Sequence, residues 1–247
     1  MNSYENLYTQ KQMPDMLERR GCFSALHHEG YIYVIGGLNY TEKCLKKCER
    51  LRLVHSDNAV SMTQDKVATQ NSRDDGSFEK WHKVCDMREA RKNASACSMT
   101  PDTIYVFGGT SNSTQTLSSI EQYSVTSNRW QFLRVTMPRA LCFLSTFKFS
   151  PTQVLIMGGS MRENPPSRSM QKDNKVIRTG RNFLSNQVFL FDLLEPKFTR
   201  MANMRKGFIS LYPPFYDGLN NALMLVNEDS ADNEPECLRY TLDEAGF

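Results

Sequence analysis

Three stretches of this chain, YIYVIGG (31–37), TIYVFGG (103–109) and QVLIMGG (153–159), repeat one design. Each is a run of β-branched and aromatic residues closed by two glycines, which reads as a strand with a sharp exit. The runs are nearly continuous in apolar character, so both faces of each strand must be covered. Paired glycines fit an exit whose angles or close approaches a Cβ would forbid.

The flanks keep step. A methionine precedes the first glycine by 23, 21 and 21 residues: Met13 to Gly36, Met87 to Gly108, Met137 to Gly158. Met204 stands 23 residues before Asn227 in ALMLVNED (222–229), where Asn and Glu replace the glycines. Asn accepts positive φ and Glu does not, so this fourth copy is expected to lack the tight exit. Leu51 and Tyr123 each lie 15 residues after the first glycine and two after a Glu (Glu49, Glu121). A large aromatic follows seven residues later in three copies, as Tyr123–Trp130, Phe191–Phe198 and Tyr240–Phe247. With about 23 extra residues before Trp81 and 18 before Phe191 set aside, the period is about fifty.

An apolar strand ending in Gly-Gly, then Glu-x-Tyr, then Trp and a Met-Pro turn resembles the kelch repeat. The best copy runs from Met87 to Pro138 and contains IYVFGG, IEQYSVTSNRW and TMPR. The resemblance implies an all-β fold, a kelch-type β-propeller of about four four-stranded blades in one domain over 1–247. The repeats are placed at about 13–86, 87–136, 137–203 and 204–247 plus 1–12, with inserted loops at about 54–76 and 161–185. The last copy stops at Phe247, where a fourth strand should begin, and NLYTQKQMP (6–14) resembles the end of such a strand. Three arrangements stay open: a ring closed by the N-terminal strand, an open partial propeller, and pairing between two chains. Trp81, Trp130, Phe198, Tyr123, Phe191 and Tyr240 are expected to pack between blades.

Function is constrained mostly by what is missing. Thirty basic residues against 27 acidic ones leave a net charge of +3, which gives no global pull toward nucleic acid or membrane. No apolar run is long enough for a secretory signal or a membrane span, so the expected location is cytoplasmic, with seven reduced cysteines. The four histidines are scattered, and Cys44 and Cys48 lack a second pair at matching distance, so no metal, cofactor or catalytic residue is assigned.

The expected role is a non-enzymatic protein-binding module or scaffold that takes a protein or peptide partner, an acidic one fitting best. A substrate-recognition subunit of a ubiquitin ligase is one alternative, and a propeller-based sugar isomerase or lyase is another. The resemblance puts partner binding on the face carrying the post-glycine and inter-blade loops. Its residues there are Asn39, Tyr40, Ser111, Asn112, Ser160 and Arg162, joined by Arg88, Arg91 and Arg139. The insertion 161–185 adds six cations (Arg162, Arg168, Lys172, Lys175, Arg178, Arg181) against Glu163 and Asp173. Composition reads it as a solvated loop, and its charge as an attraction for acidic peptides.

Overall fold

The computed structural model describes residues 13–53, 80–111, 115–162, 182–210, 212–227 and 236–242, and among them every regular element is a strand. β1 (Arg20–Gly21) pairs β4 (Leu38–Asn39) as a short ribbon. The first sheet is the meander β2 (Ser24–His28), β3 (Tyr31–Ile35), β5 (Cys48–Arg52) and β6 (His82–Val84). The second repeats it with β7 (Ser95–Thr100), β8 (Thr103–Phe107), β9 (Ile120–Ser124) and β10 (Arg129–Phe132). The third has β11 (Cys142–Ser150), β12 (Gln153–Arg162), β14 (Val188–Asp192) and β15 (Lys197–Arg200), with β13 (Asn182–Leu184) added to the end of β12. The fourth has β16 (Phe215–Asp217), β17 (Ala222–Asn227) and β18 (Glu236–Thr241). All pairings are antiparallel, and the four sheets form a four-blade propeller arrangement of the kelch type.

The apolar runs are continuous because alternate residues serve different neighbours. Tyr33, Ile35 and Cys48 meet Ile104, Val106, Tyr123 and Trp130 of the second blade. The opposite face of that second strand, Tyr105 and Phe107, meets Val154, Ile156 and Phe191. Leu155 and Met157 then meet Leu223, Leu225 and Tyr240. Trp81 and Trp130 are both buried, as their landmark positions predict. Among the described residues no apolar cluster joins the fourth blade to the first. Residues 1–12, expected to complete the fourth blade, lie outside the described residues, as does most of both insertions.

Both reasons for the glycine pairs hold. Gly36 and Gly37 have φ of 64° and 103°, and Gly108 and Gly109 have 59° and 96°. A Cβ on Gly108 would stand 2.3 Å from the Leu141 carbonyl oxygen of the next blade. Asn227 is absent from the left-handed residues, so the fourth copy leaves its strand differently.

Two expectations change. The first-blade landmark is Met16, not Met13: Met16 packs under Val34, Leu51 and Trp81, whereas Met13 is 37% exposed. Arg20 follows Met16 by four residues, as Arg91, Leu141 and Phe208 follow Met87, Met137 and Met204. In the third blade the strand runs through its glycines instead of stopping. Ser160, Met161 and Arg162 pair with Leu184, Phe183 and Asn182, so the 161–185 insertion begins and ends as a ribbon.

His28 ties the first two inner strands. It is 2% exposed, Nε2 donates to the Pro101 carbonyl (3.1 Å), and Nδ1 meets the Ser98 hydroxyl (2.7 Å). Burial lowers its pKa, outweighing the Pro101 bond and the Glu29 and Asp102 charges that raise it. A depressed histidine contributes stability that is complete above the unfolded value near 6.5 and is lost as pH falls below it. The urea midpoint of the protein is therefore expected to drop between about pH 7.5 and about pH 5.5. A His28→Gln variant should drop less, and an equal drop in both would remove His28 as the cause.

Candidate partner-binding face

One end of the propeller gathers the loops after each second strand and the connections between blades. At its centre the inner strands begin, and a backbone relay crosses from blade to blade. Asn93 N–H donates to the Cys22 carbonyl (2.9 Å), Phe143 N–H to the Asn93 carbonyl (2.8 Å), and Ser210 N–H to the Phe143 carbonyl (3.2 Å). Cys22, Asn93 and Phe143 reach this geometry at φ of 55°, 54° and 55°. Two residues on, a serine stands in three blades. Ser24 donates to the Ala94 carbonyl (2.7 Å), Ser95 shares a hydrogen bond with Thr146 (2.8 Å), and Ser145 donates to the Tyr212 carbonyl (3.4 Å). Small residues are what the site requires, because inner strands of only four blades converge on a narrow axis.

The relay surrounds a cavity of about 310 Å³ at the mouth of the axis. All four blades line it: Cys22 to Ala25 from the first, Asn93 to Ala96 from the second, Phe143 and Leu144 from the third, and Ser210, Tyr212 and Pro213 from the fourth. No charged side chain is among its described lining residues. Its wall mixes polar and apolar surface, the larger apolar part including the rings of Phe23 at 37% and Tyr212 at 59% exposure. Asn93 Oδ1 is buried there without a hydrogen-bond partner.

The residues expected from sequence form a wider circle around this mouth. Tyr40 is 88% exposed at a loop tip. Asn39 shapes that loop, its Oδ1 accepting from Thr41 N–H (3.1 Å) and Lys43 N–H (2.9 Å). Arg88 and Arg139 are exposed, and Arg139 Nη1 lies 3.9 Å from Met161 Sδ across a blade seam. Ser111 is half-buried and held by its N–H on Gln115. Asn112 and the Arg162 side chain lie outside what is described.

Two residues leave the circle. Arg91 is 1% exposed, with Nη1 and Nη2 engaged inside the second blade, so it offers a partner no surface. Ser160 is 7% exposed within the β12 ladder, opposite Cys142 and Leu184. Burial also silences the thiols: Cys48 and Cys97 are pushed up to about 12, and Cys44 and Cys142 are raised. Among the described residues no three histidines, cysteines or carboxylates converge as metal ligands. No helix there is long and apolar enough to cross a membrane.

The two ends differ in charge. Among the described residues, and apart from the Lys47–Glu18 and Lys206–Glu236 pairs, the loop-bearing face exposes Arg19, Lys43, Lys46, Arg88, Arg134, Arg139 and Arg205 against Asp15 and Glu42. The described residues of the hairpin connections at the opposite end carry Glu29, Asp102 and Glu195 against Lys80. Sequence reasoning missed the mouth, although Ser-Ala at 24–25, Ser-Ala at 95–96 and Ser-Thr at 145–146 precede the glycines at 12, 13 and 13 residues.

Comparison with known proteins agrees with this architecture. The kelch motif matches residues 19–55 and 90–134, which are most of the first blade's core and nearly all of the second. Beta-scruin of Limulus polyphemus is 23% identical over 185 residues, covering 75% of this chain and 17% of that protein. The chain thus matches under a fifth of that relative's length.

Proposed function

We propose that this chain, which carries two kelch motifs and resembles kelch-repeat proteins, uses its loop-bearing face to bind an acidic protein or peptide segment without catalysing a reaction. The observation that carries the proposal is the charge asymmetry among the described residues of that face, seven exposed cations against two exposed carboxylates apart from the Lys47–Glu18 and Lys206–Glu236 pairs. Several guanidinium forks on rigid blade junctions suit carboxylates and backbone carbonyls, and a local positive field steers an acidic segment toward them. Arg88 and Arg139 are the anchors best held in place, since both stand on connections locked between blades.

The test uses the acidic peptide Asp-Glu-Asp-Phe-Asp-Glu-Asp as probe, followed by fluorescence anisotropy. Reversing Arg88 and Arg139 to glutamate is expected to weaken binding by on the order of tenfold. Raising salt from about 50 to about 300 mM should weaken it further. Equal affinity for an uncharged peptide of the same length would overturn the reading.

A further inference from the structure

We infer that the mouth of the propeller axis is a socket for one apolar side chain of the bound segment, with the basic rim holding acidic residues on either side of it. This rests on the partner-binding reading above and adds what selects the partner.

The argument starts from which polar groups are still available. Around the mouth the carbonyls of Cys22, Asn93 and Phe143 and the N–H groups of Asn93, Phe143 and Ser210 are joined to one another. The serine hydroxyls are committed too: Ser24 and Ser95 bond to neighbouring blades, and Ser210 donates to the Tyr212 carbonyl (2.9 Å). Most of what remains open is the apolar surface of Phe23, Ala25, Phe143, Pro213 and the Tyr212 ring, in a cavity of about 310 Å³ with no charged side chain among its described lining residues. A site of that volume holds a side chain and little more. An ionised group placed there would lose its water and gain no partner, so charge is rejected at the centre and accepted only at the rim.

The rim supplies the complementary half. Arg88, Arg139 and Arg205 stand exposed on three successive blade junctions. A segment with one apolar residue between acidic neighbours satisfies both zones, and neither a wholly acidic nor a wholly apolar one does. The selected chemistry is therefore acidic–apolar–acidic.

Two peptides decide it, Asp-Glu-Asp-Phe-Asp-Glu-Asp and the same sequence with alanine at the centre, titrated against the whole protein. The phenylalanine peptide is expected to bind about tenfold tighter or better. It should also slow alkylation of Cys22, which lines the mouth, and leave that of exposed Cys237 unchanged. Ala25→Trp, which plugs the mouth from an exposed position, should erase the difference and keep the alanine peptide's affinity. Phe23→Ala, which retains the Cβ that packs on Gly37, should reduce the difference and covers the case where the plug disturbs folding. Two peptides bound equally, both salt-sensitive, would overturn the socket and leave the basic face standing. A tenfold preference that survives Phe23→Ala, or that protects Cys237 in place of Cys22, would move the apolar contact elsewhere and overturn the socket. No binding of either peptide would overturn the face and the socket together.

Discussion

Arg91→Ala is expected to lower the unfolding free energy by about 3–5 kcal/mol, because it strands a buried carboxylate. Arg91 Nη2 holds Glu121 at 2.7 Å with both side chains 0% exposed. Arg91 Nη1 donates to the carbonyls of Gly108 (2.7 Å) and Ser119 (3.3 Å), so one guanidinium stitches a blade junction to the second and third strands. Glu121 also accepts Arg88 N–H (2.7 Å) and Glu89 N–H (3.1 Å). The first blade builds the same clamp from Arg20, Glu49, the Gly36 and Lys47 carbonyls, and Leu17 N–H.

The third blade removes the clamp as a unit. Leu141 stands where Arg91 does, its carbonyl taking Gly109 N–H as that of Arg91 takes Gly37 N–H. Phe189 stands opposite Ile156 as Glu121 stands opposite Val106. Pro138, without an N–H, follows Met137 where Arg88 follows Met87. Taking both charges away together should therefore cost less than taking one. Arg91→Leu with Glu121→Phe is expected to recover about 2 kcal/mol relative to Arg91→Ala, and adding Arg88→Pro to recover more. Urea midpoints measure all three variants. A midpoint for Arg91→Ala equal to that of the wild type would mean that water reaches Glu121.

The sequence announced its blades because their constraints are local. Two glycines at positive φ with a β-branched run before them, and an aromatic seven residues after a Tyr, can each be read within one short stretch of sequence. Relations between strands were harder to see. Arg91 read as a binding residue because it lies in a loop, where a lone arginine is ordinarily solvated. Its pairing with Glu121 shows only when the 30-residue step is set beside the 29 residues from Arg20 to Glu49. No local mark separates Met13 from Met16, two methionines three residues apart. The mouth escaped notice because a site made of Ser, Ala and Asn backbone has no chemistry in any single blade. It exists only where several blades converge.

Trp130→Ala should cost about 3–5 kcal/mol, and the informative part is where the loss appears. The indole lies 5.0 Å from the Tyr123 ring, paired with it in register, and its Nε1 donates to the Cys85 carbonyl (3.0 Å). It belongs to the cluster holding Tyr33, Ile35 and Cys48 of the first blade, so its removal weakens a seam as well as a sheet. Trp130→Phe keeps the ring and loses only the N–H, for about 1 kcal/mol. The third blade already uses that solution, with Phe198 stacked 4.6 Å from Phe191. The chain has two tryptophans, so in either variant Trp81 alone reports by fluorescence, from inside the first blade. Nearest-neighbour coupling between blades requires the Trp81 transition to move with the whole-chain transition followed by circular dichroism. A Trp81 midpoint that stays at its wild-type value while circular dichroism shifts would mean that each blade stands alone, and the shared seam would then contribute nothing to folding.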